Sequence, residues 1–332
     1  MPLSLPDRLL RQAARRLLRA PDAVLRPIAG PTIHNRRGDR LDLSVQALLR
    51  LQDRVAAPLG NPDPAEARAD FERGVAMASP EPEPLDVEEG QVEGAEGPRR
   101  CLTYRPPQSQ GTLVYFHGGG WGVGSIEAYD PLCRRLALMG HCTVVSVDYR
   151  LAPEHPFPAG LHDAMASFDD VQRRTDGPVA VGGDSAGGNL SAVLARYRDP
   201  ALQLLIYPAC DLRRITASYH ELKTGFMLEG EAIDRYLEWY GADPEDPDAS
   251  PLLGEPGRAP AIVATAGFDP LRDEGEQYAR RLREVGTPTI DLRFSHLVHG
   301  FANMDGLIPA ADGALAQIGH ALRHVWARCD TV

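Results

Sequence analysis

The chain of 332 residues is 43% hydrophobic and 24% charged, an ordinary balance for a globular protein with enough length for a large core. Its formal net charge of −11 argues against nucleic acid or an anionic membrane as the main partner. No apolar run approaches the roughly 18 residues of a transmembrane helix, which excludes that class of protein.

The cysteines and the first residues indicate the compartment. The cysteines are scattered and form no C-x-x-C motif, so we predict neither a disulfide framework nor a zinc site. We expect reduced, buried thiols at Cys101, Cys133, Cys142, Cys210 and Cys329. Arginines separate the leucine pairs near the N-terminus, so these residues lack the continuous apolar core of a signal peptide. The cytoplasm is therefore the expected location.

Residues 1–30 begin with a predicted helix. Ser4 is an N-cap residue type, and Pro6 lies just inside the start. Arginines alternate with apolar residues at helical spacing, the apolar set being Leu9, Leu10, Ala13, Leu17 and Leu18. Such a helix can lie on a membrane or pack its apolar stripe against its own domain. We favour packing, and therefore expect no membrane partner.

Two more helical patterns cover residues 41–55 and 64–77. The proline-rich segment 79–84 is a stiff connector that marks a boundary. Beyond it, compact apolar runs alternate with helical stretches, which indicates a mostly parallel sheet covered by helices on both faces. We predict an α/β fold with about eight strands, at 85–94, 99–104, 112–116, 143–147, 179–181, 202–206, 261–265 and 289–294, and a closing helix at 310–328.

A loop of three glycines follows the strand at 112–116 and lies between His117 and Trp121. Successive glycines let backbone N–H groups point at a ligand without a Cβ in the way. In a serine hydrolase these groups, with the N–H after the nucleophile, stabilise the tetrahedral oxyanion. A phosphate-binding loop is the alternative, but no G-K-[S/T] follows. We interpret His117 as structural, and the predicted oxyanion donors are Gly118, Gly119 and Ala186.

The motif G-x-S-x-G occurs once in a strand–turn–helix context, at residues 183–187. In that context the serine occupies the apex of a sharp turn, and flanking glycines leave the turn uncrowded. Ser185 is therefore the predicted nucleophile. The preceding Asp184 should point away from the site, so we assign it no catalytic role.

The connection between residues 211 and 253 is far longer than usual and rich in aromatic residues. Helical spacing over 233–240 predicts an amphipathic helix in it. We interpret the insertion as a lid that joins the N-terminal helices over Ser185. The predicted division is a cap segment at 1–84, core at 85–211, cap insertion at 212–250 and core at 251–332.

An acid and then a histidine should follow the nucleophile along the chain. Asp269 comes directly after the strand at 261–265, at the sheet edge where ligands bind, and is favoured over Asp273. His299 lies in a short loop after the last strand and is favoured over His296, which we place in the strand end. His299 would be the base, and Asp269 would orient it.

Five motifs together resemble the hormone-sensitive lipase family of α/β-hydrolases, and in particular its bacterial esterases with a GDSAG elbow. They begin at His117, Asp148, Gly183, Asp269 and His299. The resemblance implies an α/β-hydrolase fold with a helical cap, hydrolysis of short- to medium-chain acyl esters, no cofactor or metal, and often homodimers. Residues 1–30 have no counterpart in that pattern. We assign structural roles to the charge-rich segment 148–154.

The leading hypothesis is a carboxylic ester hydrolase that acts on a small-molecule ester through an acyl-serine intermediate. Amidase or arylacetamide deacetylase-like activity is the alternative within enzymes, because the same residues attack amides. A non-catalytic binder of small molecules is the alternative outside them. Candidate walls of the substrate pocket, for which plain core packing is an equal alternative, are Trp121, Tyr219, Phe226 and Met227.

Overall fold

A computed structural model describes residues 3–52 and 61–329 of the chain. One sheet of eight strands forms its centre. The strands are β1 (Asp86–Val92), β2 (Arg99–Arg105), β3 (Thr112–Phe116), β4 (Thr143–Val147), β5 (Val179–Asp184), β6 (Gln203–Ile206), β7 (Ala261–Phe268) and β8 (Thr289–Val298). All eight strands were predicted, and β8 extends through His296 as expected.

Helices precede the sheet and cover it. They are α1 (Leu5–Leu18), α2 (Asp22–Ala29), α3 (Leu43–Gln52), α4 (Pro64–Ala78), α5 (Asp130–Gly140), α6 (Ala159–Arg174), α7 (Ala186–Tyr197), α8 (Ala217–Leu222), α9 (Gly230–Tyr240), α10 (Arg272–Glu284) and α11 (Pro309–Cys329). The end of the helix predicted at 41–55 lies outside the described residues. None of the described helices has the length and apolar character needed to span a bilayer.

The strand order is β1-β2-β4-β3-β5-β6-β7-β8. Strand β2 runs antiparallel to both of its neighbours, β1 and β4, and all the other neighbouring pairs are parallel. Since β3 and β5–β7 are buried along their whole length, these strands are apolar runs rather than alternating ones. The parallel order brings the carboxyl ends of β3, β5, β7 and β8 to one edge of the sheet.

The N-terminal helices and the 211–253 insertion meet above that edge. Ala67 and Phe71 of α4 share an apolar cluster with Tyr236 and Trp239 of α9 and with Val123 of the glycine loop. Contact between the two predicted cap segments therefore occurs where we expected it. The division into domains at 84, 211 and 250 stays a prediction.

The packing of α1 differs from the prediction. The helix begins at the expected cap, since the Ser4 hydroxyl accepts from the Asp7 N–H. Leu18 is buried and Leu17 is half-buried, but Leu9 and Leu10 are exposed, so only the C-terminal part of the predicted apolar stripe faces the protein. Polar contacts hold the N-terminal part of the helix: Asp7 pairs with Arg73, and Arg11 donates to the carbonyl of Ala76.

The described thiols agree with the expected reduced state. Cys101, Cys133, Cys142 and Cys210 are free and buried. The side chain of Cys329 lies outside the described residues.

Candidate active site

The strand–turn–helix of the elbow forms as predicted, between β5 and α7. Ser185 has φ +52° and ψ −116°, a strained conformation for a residue with a side chain. A Cβ at Gly183 would lie 2.3 Å from the carbonyl oxygen of Phe116, and one at Gly187 only 1.8 Å from the same atom. Glycine is therefore required on both sides of the serine, because β3 passes too close for a side chain.

Three side chains from the ends of β5, β7 and β8 meet at the sheet edge. Nε2 of His299 lies 3.0 Å from Oγ of Ser185, and Nδ1 lies 2.8 Å from Oδ2 of Asp269. The other carboxylate oxygen of Asp269 accepts from the Leu271 N–H at 2.8 Å, which fixes the carboxylate. Asp269 is fully buried, whereas the His299 side chain is 11% exposed. The site therefore opens to solvent at the serine–histidine end.

The rival acid and base lie elsewhere. Asp273 accepts from the Ser218 N–H and from the guanidinium groups of Arg37 and Arg272, so its carboxylate is engaged away from the imidazole. His296 belongs to β8, and its carbonyl accepts from the Asp42 N–H. The geometry thus joins the three residues that we favoured and neither rival.

The hydrogen bonds of the glycine loop contradict one of the predicted oxyanion donors. The Gly118 N–H donates to Oδ1 of Asp184 at 2.9 Å, so its prediction as a donor to an oxyanion is wrong. Among the described residues, the N–H groups of Gly119 and Gly120 have no acceptor. Ala186 is the first residue of α7, so its N–H has no acceptor within the helix. These three free donors are the ones available to a developing anion.

Asp184 is the residue that sequence reasoning missed here. It is buried, and besides Gly118 its carboxylate accepts from the hydroxyls of Tyr115 at 2.9 Å, Tyr129 at 3.0 Å and Tyr207 at 3.4 Å. Burial raises the pKa of Asp184 above its usual value, while the hydrogen bonds oppose that rise. The side chain points away from the site as predicted, yet it ties the elbow to the glycine loop.

His117 supports the loop from within, as predicted. Its Nδ1 lies 2.8 Å from the carbonyl of Gly118, and its ring stacks on Tyr149 at 4.6 Å. Complete burial lowers the pKa of His117 to about 4, so the imidazole is neutral at pH 7. The Tyr149 hydroxyl donates to the His117 carbonyl at 2.8 Å, so the 148–154 segment, to which we assigned structural roles, braces the loop.

Two cap helices press directly on the loop. A Cβ at Gly120 would lie 2.3 Å from the Tyr236 ring, and one at Gly122 would lie 2.8 Å from the Trp239 ring. From α4, Arg68 donates to the carbonyls of Gly122 at 2.9 Å and Ala152 at 3.0 Å, and pairs with Glu154. The cap and the glycine loop therefore form one packed unit.

The four predicted pocket walls lie in different surroundings. Trp121 stacks on Tyr240 at 4.2 Å beside the glycine loop, and Phe226 packs on Phe268 at 5.5 Å, directly before Asp269. Met227 lies with Phe226 against the same apolar core, whereas Tyr219 is in α8 beneath Lys223. Their role as pocket walls stays a prediction. Tyr236 and Trp239, which touch the loop, were not in that set.

No group of three or more His, Cys, Asp or Glu side chains within 3–52 and 61–329 is arranged to hold a metal ion. The groups that converge on Ser185 are a hydroxyl, an imidazole, a carboxylate and backbone amides. Together they can activate a nucleophile and stabilise an anion on a carbonyl oxygen.

Comparisons with known proteins agree with this chemistry. Residues 113–303 match a family described by the alpha/beta hydrolase fold. The carboxylic ester hydrolase LipN of Mycobacterium tuberculosis is 43% identical over 278 residues, 76% of this chain and 74% of LipN. Ethyl acetate hydrolase of Pseudomonas putida is 34% identical over 290 residues, 78% of this chain and 89% of that enzyme. The solved esterase of Pyrobaculum calidifontis has a TM-score of 0.76 at 36% identity, covering 82% of this chain and 97% of its own.

Proposed function

This chain belongs to the α/β-hydrolase family, as a carboxylesterase of its hormone-sensitive-lipase-like branch, and we propose that it works through a covalent acyl-Ser185 intermediate. One observation carries the proposal: His299 is hydrogen-bonded to Ser185 on one side and to Asp269 on the other. This is the arrangement of nucleophile, base and orienting carboxylate that acyl transfer requires.

In the first half of the reaction, Oγ of Ser185 attacks the ester carbonyl carbon while Nε2 of His299 takes the hydroxyl proton. The carbonyl π electrons move to oxygen, and the N–H groups of Gly119, Gly120 and Ala186 stabilise that negative charge. Asp269 stabilises the imidazolium. The C–O bond to the alcohol then breaks, and His299 returns the proton to the leaving oxygen, which leaves an acyl-enzyme.

In the second half, a water molecule takes the place of the alcohol. His299 removes its proton as the water oxygen attacks the acyl carbon, and the same three N–H groups stabilise the second tetrahedral intermediate. The Cacyl–Oγ bond breaks, and His299 protonates Ser185. The products are the carboxylic acid and the free enzyme, so each ester consumes one water.

Short- to medium-chain acyl esters are the proposed substrate class. The relative from Pseudomonas putida is named for ethyl acetate, a short ester. In this chain, the rings of Tyr236 and Trp239 lie against Gly120 and Gly122, so bulky aromatic groups occupy the space above the oxyanion loop. A series of p-nitrophenyl esters from acetate to laurate tests the proposal. Equal kcat/KM along the whole series would contradict it.

The mechanism is tested by p-nitrophenyl butyrate hydrolysis with Ser185→Ala and His299→Gln. We expect each change to lower kcat by on the order of 10⁴-fold, because the nucleophile and its base act as a unit. His296→Gln is the matched control, since it removes an imidazole three residues away, and it should retain most activity.

Mass spectrometry of the protein after treatment with a fluorophosphonate should locate the phosphonyl group on the peptide that contains Ser185. A wild-type rate retained by Ser185→Ala, or labelling of another serine, would overturn the proposed mechanism.

A further inference from the structure

The first two helices display apolar side chains that the fold does not bury. Six large hydrophobic residues are exposed within the described residues, and four of them belong to α1 and α2. These four are Leu5 at 71%, Leu9 at 60%, Leu10 at 54% and Val24 at 48% exposure. Scattered apolar residues on a surface need no explanation, but a concentration on one short segment marks an interaction surface.

The faces of α1 explain this exposure. Its inward face holds Arg11, Ala14 and Leu18, which succeed one another at spacings of three and four residues, and Leu18 is fully buried. Leu5 and Leu9 lie one turn apart on the opposite face, and the exposed Leu10 lies about 100° around the helix from Leu9. We call the exposed side chains of Leu5, Leu9 and Leu10 the outer leucine face.

A basic row runs along α1 next to the outer leucine face. Arg8 and Arg15 are exposed and lie two turns apart, and Arg16, also exposed, follows Arg15. Over residues 5–29 there are six arginines and two aspartates, a net charge of +4 in a chain whose total is −11. Neither Arg15 nor Arg16 has an ion-pair partner in the described part of the chain.

We propose, against our expectation from the sequence of no membrane partner, that the outer leucine face and its basic row bind the surface of a membrane that contains anionic lipids. Leucines can enter the boundary between headgroups and acyl chains while arginine stems let the guanidinium groups reach lipid phosphates. Anionic headgroups complement the local charge of +4. A second copy of this face would carry the same positive charge, which disfavours a dimer through it.

The attachment would place the catalytic end of the molecule near lipid. Helix α1 holds α4 through Asp7–Arg73 at 2.6 Å and through Arg11 and the Ala76 carbonyl at 3.3 Å. Helix α4 in turn holds the glycine loop through Arg68. Apolar esters partition into bilayers, so this position would raise their local concentration. That consequence rests on the proposed function, but membrane binding itself does not.

Co-sedimentation of the full chain with large unilamellar vesicles tests the proposal. The wild type should bind vesicles of phosphatidylcholine and phosphatidylglycerol more tightly than vesicles of phosphatidylcholine alone, and salt should weaken the binding. The triple variant Leu5→Gln/Leu9→Gln/Leu10→Gln should lose about 100-fold in affinity, since three apolar side chains no longer enter the lipid. Ile215→Gln is the matched control, because Ile215 is also 60% exposed.

Hydrolysis of soluble p-nitrophenyl butyrate without vesicles should be unchanged in the triple variant, which shows that it is folded. Arg15→Gln/Arg16→Gln provides a second test that leaves the leucines in place, and it should lose the preference for anionic vesicles. Failure of the wild type to sediment, or equal sedimentation of wild type and triple variant, would overturn the proposal. A dimer in solution that the triple variant dissociates would instead assign this face to a second copy.

Discussion

Asp184 acts at the scale of a single residue on two loops at once. Asp184 directly precedes the nucleophile in the elbow, and its side chain lies beneath the site. There it accepts a hydrogen bond from the Gly118 N–H and so orients the next two glycines. Asp184→Asn should lower kcat about tenfold with KM nearly unchanged, because the oxyanion donors shift slightly while the substrate contacts persist. Steady-state kinetics on p-nitrophenyl butyrate measure both constants.

The control for this prediction is Asp170→Asn. Asp170 is as buried as Asp184, but it pairs with Arg173 and Arg174 on α6, away from the glycine loop. An equal loss of kcat in the two variants would show that Asp184 contributes to general stability rather than to the position of the loop.

His117 should make the stability of the protein depend on pH. Its pKa is about 4 in the folded protein and near 6.5 in the unfolded chain, so the unfolded chain binds more protons between these values. The free energy of unfolding should therefore fall by about 2 kcal/mol from pH 7 to pH 5 through this group alone. His117→Asn, whose amide can still donate to the Gly118 carbonyl, should lose this part of the slope.

Urea unfolding at pH 7 and pH 5 measures the effect. His324→Asn, a change in α11 far along the chain from the loop, should keep the wild-type slope. A slope that is identical in His117→Asn and in the wild type would contradict a neutral, buried imidazole at this position.

At the residue scale, the sequence predicted the side chains that meet at Ser185 but misassigned one backbone donor. Ser185, Asp269 and His299 each follow a strand, and parallel strands bring such positions to one edge. The Gly118 N–H is different, because its acceptor belongs to a residue 66 positions away. No local pattern states which of three successive glycines will face a side chain from another loop.

At the scale of elements, Arg68 joins α4 to the glycine loop. Its guanidinium contacts two carbonyls and Glu154, an arrangement that needs a planar group with several donors. Arg68→Lys keeps the charge but cannot make all of these contacts. We expect kcat/KM to fall about 3- to 10-fold. Hydrogen bonds to charged groups are worth about 1.5–3 kcal/mol, and only part of that lost energy affects the position of the glycine loop.

Arg73→Lys is the matched control for this prediction. Arg73 lies on the same helix and pairs with Asp7, but its side chain is 63% exposed and does not touch the loop. Hydrogen exchange should show faster exchange over 64–78 in Arg68→Lys only. An unchanged kcat/KM, or equal effects in both variants, would rule out a specific link from α4 to the site.

The elements could be predicted to different degrees. Strands β3–β7 appear in the sequence as apolar runs because both faces of each are covered. Helix α1 was predicted, but only the C-terminal part of its buried face was. Periodicity shows which residues of a helix share a face, whereas the neighbouring helix decides which face is covered, and in α1 arginine and aspartate contacts decided it.

At the scale of the whole molecule, the order of motifs predicted the family, but the order of strands needed the structure. β4 lies between β2 and β3, so the chain crosses over before β5 places the nucleophile at the centre. The long segment before the sheet is then held to its far edge. Arg37 binds Asp273 and Glu276 of α10, Arg293 of β8 binds Asp39, and Asn35 donates to the Gly267 carbonyl.

These contacts predict that the cap separates from the core before the core unfolds. Leu25, Leu41 and Val45 of the N-terminal segment pack into the same apolar core as the sheet, but the 34–42 segment is also attached by partly exposed ion pairs. Such pairs are individually weak and screened by salt. In urea, esterase activity should therefore disappear at a lower concentration than far-ultraviolet circular dichroism, because loss of the cap disturbs the glycine loop first.

Sodium chloride at 0.5 M should lower the urea midpoint of activity more than the midpoint of circular dichroism, since it weakens the ion pairs and not the apolar core. Arg293→Gln should act in the same direction without salt, because it removes the ion pairs of Arg293 with Asp39 and with Glu276 together. Arg105→Gln, which removes a single exposed ion pair with Glu88 at the opposite edge of the sheet, should leave both midpoints unchanged. Coincident transitions in every condition would mean that cap and core unfold as one cooperative unit.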